Sequence, residues 1–234
     1  MDEPTHVAGI EKPQHGIPLT FNEGRLLEVL FTTLQKYVNI ADAQMILDDL
    51  RDELYSGIEI GNLKNLHTIA LNCRKCPAAI PEVEMPRWNL VNPDMVLVAE
   101  GPIGSKDISD ILIKGLSDAG FTHDRVALTF VNRCRLKEKR RYNDEEIRNC
   151  LRFLHTELQI LKPKLIVPLG LVPTAALLGT DVKLGDFRGQ ISWLGPWAIY
   201  PTYSPAHVLK GPPHLINDFT DDMKAAHRIC YGER

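Results

Sequence analysis

The stretch DEEIRNCLRFLHTELQILKPKLIVPLG, residues 144–170, decides the fold. Up to Leu161 it reads as a helix, and KLIVPLG, residues 164–170, reads as a short buried strand that ends on glycine. The same alternation continues outward on both sides. MVLVA (95–99), VALTFV (126–131) and WAIYP (197–201) are further apolar runs of strand length, and helical segments fall at 106–119, 172–178 and 215–229. Strands separated by helices at this spacing predict a three-layer α/β/α domain around a central, mostly parallel four-stranded sheet covered on both faces. Loops leaving the carboxyl ends of such strands build the ligand crevice, so the residues after Ala99, Val131, Leu169 and Pro201 are the ones to examine.

N-terminal to this core the chemistry changes. Leu26, Leu27, Val29, Leu30, Leu34 and Val38 share one helical face, and Ile46, Leu47, Leu50 and Leu54 repeat the pattern. Residues 1–72 carry five Lys and Arg against eleven Asp and Glu, whereas residues 73–234 carry twenty-two against nineteen. The chain therefore divides into an acidic helical N-terminal extension, 1–72, and a second unit, 73–234. With 234 residues, 44% hydrophobic and 24% charged, it has the composition of a globular protein with one sizeable core, which excludes disorder and collagen. No apolar run is long enough to span a bilayer, and the N-terminus lacks a basic then apolar leader, so a cytoplasmic location is expected.

Five cysteines are an odd count and too few for a disulfide scaffold. Cys73 and Cys76 form C-R-K-C ahead of the first strand, Cys134 follows the second strand, Cys150 lies in the next helix, and Cys230 stands apart. Four thiolates around one strand end suit zinc or an iron-sulfur cluster. A thioredoxin-like redox pair fits less well, because that motif opens a helix directly after a strand. Between Arg133 and Arg141 the chain is strongly basic: Arg133, Arg135, Lys137, Lys139, Arg140 and Arg141 face only Glu138, which points to an anionic partner or to a solvated charged loop.

Order and spacing of these cysteines, with N-P-D (92–94) entering the first strand, KPKLIVPLG (162–170), ALLG (176–179), VKLGDFRG (182–189) and PTYSPAHVLK (201–210), resemble the iron-sulfur, family 4 uracil-DNA glycosylases over about residues 73–229. The resemblance implies a 4Fe-4S cluster on Cys73, Cys76, Cys134 and Cys150, with structural zinc as the alternative, and leaves Cys230 as a buried small hydrophobe. It also implies DNA as partner, contacted by the basic stretch and by Lys210, with Leu209 as an apolar wedge or an ordinary packing residue.

A glycosylase flips its target nucleotide into a pocket that reads the base edge and stacks on its face. The family does this with a G-E-A-P-G loop, an aromatic in P-F-V-G, an Asn in T-N-x-x-K-C-R and a His in an H-P-x loop. Here the first loop keeps Glu100, Gly101 and Pro102, but Ile103 stands at the final Gly position, and P-F-V-G has no counterpart. Phe130 occupies the place of the uracil-reading Asn, with Asn132 two residues on as a substitute in a slipped register, and Ser204 occupies the place of the His, with His207 one turn later. A benzyl group makes no hydrogen bond to a base, and a serine gives no imidazolium-like support to a departing anion. Glu100 remains as the one carboxylate placed to orient water, or as a helix cap. The expectation is a DNA-binding iron-sulfur protein with weak or no ordinary uracil excision. A glycosylase for another base is the alternative, and a protein-interaction module using the acidic residues 20–72 is the third reading.

Overall fold

In the computed structural model, the residues described are 63–76, 79–83, 87–88, 90–137, 140–179 and 182–232. The helices expected over 26–38 and 46–54 lie outside them, as does Lys139.

Helix α1 (Leu63–Asn72) leads into strands β1 (Ala79–Val83), β2 (Arg87–Trp88) and β3 (Met95–Ala99), then helix α2 (Lys106–Asp118). Strands β4 (Val126–Phe130) and β5 (Cys134–Leu136) precede the long α3 (Asp144–Leu161), which is followed by β6 (Leu165–Pro168), α4 (Leu171–Leu178) and the short α5 (Leu184–Phe187). The chain closes with β7 (Ser192–Leu194), β8 (Trp197–Ile199), α6 (Pro205–Lys210) and α7 (His214–Tyr231).

The main sheet runs β2-β4-β3-β6-β8-β7, and β1 and β5 form a separate antiparallel pair. Its four inner strands are the four apolar runs seen in the sequence, all mutually parallel. The sheet has six strands rather than four because short antiparallel strands, β2 and β7, close its two edges. Two- and three-residue strands give too little periodicity to see in sequence.

All five residues of β3 and of β4 are buried, which is why these strands read as continuous apolar runs rather than alternating ones. On one face Met95, Leu97, Leu128, Phe130 and Val167 pack with α2, α6 and α7; on the other Val96, Val98, Ala127 and Ile166 pack with α3 and α4. Gly115 on α2 lets Phe219 of α7 approach so closely that a Cβ there would lie 2.6 Å from the ring.

Helix α3 is fixed at both ends by its own sequence. Asn143 accepts from the Glu146 N–H while the Glu146 carboxylate accepts from the Asn143 N–H, a capping box, and Lys162 closes the helix in the left-handed conformation before Pro163. Helix α1 packs against α3 through Leu66, Ala70 and Phe153, so the last ten residues of the acidic extension share a core with the domain that follows.

Candidate functional site

The carboxyl ends of β3, β4, β6 and β8 converge, and backbone bonds tie the loops that leave them. Asn132 N–H donates to the Glu100 carbonyl at 3.0 Å, and Gly170 N–H donates to the Thr202 carbonyl at 2.8 Å. Gly170 has φ +99°, and a Cβ there would sit 3.0 Å from that of Ser204, so the two loops meet only because this residue is glycine.

Glu100, the first residue after β3, is half-buried, and burial raises its carboxyl above the usual range despite the opposing charge of Arg141. Beside it lies Tyr142, which the sequence did not single out. Its ring covers Gly101 so closely that a Cβ would stand 2.6 Å from its hydroxyl, and that hydroxyl donates to the Cys134 carbonyl at 2.8 Å. Burial first, and then the nearby Glu100 carboxylate, push the phenol upward. Arg135 lies over Gly104 in the same manner. Two side chains from the segment between Cys134 and Cys150 therefore clasp the loop after β3, next to Pro102.

The residues that the resemblance sets at the base pocket have other neighbours in the fold. Phe130 is 0% exposed in the core shared with α2 and α7. Asn132 is buried too, and its amide donates to the Glu146 carbonyl at 2.9 Å, which joins the strand end to the first turn of α3. Neither is a freely presented pocket side chain. Ser204 is the N-cap of α6 and accepts from the His207 N–H, while the exposed His207 ring leans on Tyr203 at 5.4 Å. Asp222 on α7 anchors this last loop through the Thr202 hydroxyl and the Arg188 guanidinium, which also lies 4.3 Å over the Tyr203 ring. That anchor joins positions far apart in the chain, so no sequence motif announces it.

The basic stretch divides once folded. Arg133 is corrected from surface to interior: it is 1% exposed and pairs with Glu157 at 2.8 Å. Glu157 also bonds Thr129 and, at 3.2 Å, His67 of α1. Burial opposes this carboxylate's charge, but Arg133, with His67 and Thr129, outweighs it and holds Glu157 below the usual range. Arg140 grips Glu146 with both arms of its fork, at 2.6 and 2.8 Å. Lys137, Arg141 and Lys210 are exposed, and Leu209 is 44% exposed.

Four cysteines come together. Cys73 follows α1, Cys134 opens β5 and Cys150 faces inward from α3; with Cys76 they lie close enough for their charges to interact. The thiols of Cys76, Cys134 and Cys150 are raised by burial and then by one another. Donors line the sulfurs: Asn149 Nδ2 stands 3.9 Å from Cys76 Sγ, Arg152 Nη2 stands 3.8 Å from Cys73 Sγ, and the Arg133 backbone N–H serves Cys150. Such donors suit clustered thiolates. Among the described residues no three of the metal-binding side chains close to the span of one ion. Cys230 lies apart in the core, where burial pushes its thiol up to about 12.

A parallel α/β sheet with its loops gathered at one rim, bordered by clustered thiols, defines the class of protein. Residues 88–226 match the model of the uracil DNA glycosylase superfamily. The chain is 32% identical over 181 residues to a type-4 uracil-DNA glycosylase of Pyrobaculum aerophilum, covering 69% of this chain and 91% of that protein. It is 29% identical to one from Thermotoga maritima, covering 59% and 78%, and 24% identical to one from Archaeoglobus fulgidus, covering 68% and 89%. The chain belongs to the uracil DNA glycosylase superfamily, on its type-4 branch. Among the described residues no helix is long and apolar enough to cross a membrane.

Proposed function

We propose that this protein is a DNA-binding, iron-sulfur member of the superfamily in which ordinary uracil excision is weak or absent. The observation that carries the reading is at the end of β4. Phe130 is wholly buried where the resemblance places a uracil-reading amide, and Asn132 donates its side-chain N–H to a backbone carbonyl, while its Oδ1 is buried without a partner among the described residues. Discriminating uracil requires polar groups aimed at the base edge. Ser204, committed to capping α6, supplies no positive charge to a leaving base.

Cys73, Cys76, Cys134 and Cys150 would hold the cluster. The four thiols lie close enough for their charges to interact, and an all-thiolate donor set suits a four-iron cluster, with structural zinc as the alternative. Held there, it would cross-link the end of α1, β5 and α3. DNA contact falls to Lys137, Arg141 and Lys210, with Leu209 preceding Lys210 in the chain, and predicts affinity that drops steeply with salt.

A second reading has one observation in its favour. Tyr142 provides an aromatic ring next to Glu100, where the P-F-V-G aromatic is missing. With Glu100 taking a proton from the attacking water, that corner is equipped to hydrolyse the glycosidic bond of another base. Oligonucleotides carrying single uracil, hypoxanthine, xanthine or modified pyrimidines, assayed for abasic sites, separate the two. No cleavage of any supports the first reading; cleavage of a non-uracil strand establishes the second.

A further inference from the structure

Among the described residues Arg133 is the largest of the wholly buried side chains. A guanidinium does not shed its proton, so its charge is interior whatever the pH. Glu157, its ion-pair partner at 2.8 Å, meets only Nη2 of the guanidinium, and the same carboxylate also accepts from Thr129 and meets His67. Two of its nitrogens, Nε and Nη1, meet no hydrogen-bond acceptor among the described groups. Buried donors left idle are costly, so their placement calls for a partner.

The position supplies one. Arg133 directly precedes Cys134 and gives its backbone N–H to Cys150. Cys150 and Glu157 are seven residues apart on α3, which is two turns along one helical face. A side chain running from the Cys134 strand to Glu157 therefore passes along the face that carries Cys150. We propose that Arg133 is the built-in counter-charge of the iron-sulfur centre, fixing its reduction potential, with Glu157 holding the guanidinium in place and setting how much of its charge the centre feels. This rests on the reading of the four cysteines as cluster ligands. A buried positive charge stabilises the more negative, reduced state, and net charge and hydrogen bonds to sulfur are the protein's main levers on such potentials.

The test is a potentiometric titration of the purified full-length protein, followed at about 400 nm where thiolate-ligated iron absorbs. Arg133→Met is expected to shift the one-electron reduction equilibrium about tenfold toward the oxidised form, or ~59 mV downward. Arg133→Lys, which keeps the charge, should recover most of that shift. Glu157→Gln should move the midpoint upward, and it tests the proposal even if Arg133→Met fails to fold. Variants that keep their iron and the wild-type midpoint, or Arg133→Met and Glu157→Gln moving it in the same direction, would overturn the counter-charge. Wild-type protein purified without iron would overturn the cluster itself and this proposal with it.

Discussion

Two regions grow from the end of β4 and differ in what they keep. On the far side of Arg133 the chain enters the cysteine region, where four thiols, three donors to sulfur and a capped helix agree with one another. On the near side lies the strand-end crevice, where Phe130 is sealed in the core and Ser204 is occupied as a cap. The two are physically joined, since Tyr142 and Arg135 reach from the cysteine segment onto Gly101 and Gly104 of the crevice loop. On the proposed reading the thiol set is kept while the base-reading positions beside it differ, so membership in the superfamily and the chemistry performed are separate questions.

The largest effect should follow from breaking the cysteine region. Serine at Cys73, Cys76, Cys134 or Cys150 is expected to abolish visible absorbance and bound iron, whereas Cys230→Ala leaves both intact; iron analysis of the five variants checks this. Phe130→Asn, which installs the amide that the resemblance expects there, should cost about 3–5 kcal/mol in denaturant unfolding, because it removes a fully packed ring and buries an amide in its place, and it should not recover uracil excision.

A third test uses pH. His155 is buried, and burial lowers it from 6.5 to about 4. Below pH 6.5 the unfolded chain takes up a proton that the folded protein refuses until pH falls to about 4, so this histidine's contribution is full above 6.5 and is lost on acidification through that window. The loss is about 3 kcal/mol, and His155→Leu should flatten that part of the stability profile. Smaller still, Gly101→Ala drives a methyl against Tyr142 and should cost about 1–2 kcal/mol, with faster amide exchange at residues 100–104 if the clasp is what holds the loop. Charge reversal at Arg141 should lower the salt dependence of DNA binding by about one in log-log slope or more.

Much of the fold was legible because its signals are local. MVLVA is continuous and apolar since β3 is covered on both faces, and helix α3 spans the predicted 144–161 because Asn143 and Glu146 cap one end and Lys162-Pro163 stop the other. The edge strands were not legible, being two or three residues long. In the site, cysteine spacing grouped Cys73, Cys76, Cys134 and Cys150, which the fold brings near one another, but burial could not be read from composition. Arg133 looked like one more charge in a basic run, and only the distant Glu157 explains its place inside. Tyr142 was missed for a related reason: its neighbours Gly101 and Glu100 lie some forty residues away and become adjacent only when the sheet forms.

The claim that the metal region is kept and the uracil reader is lost comes down to one measurement on one sample. Full-length protein that carries iron and binds duplex or single-stranded DNA should be incubated in excess with a uracil-containing oligonucleotide, and abasic sites should be counted over a single turnover. The account predicts binding with little or no cleavage. Rapid, complete excision of uracil by that iron-bearing protein would contradict it.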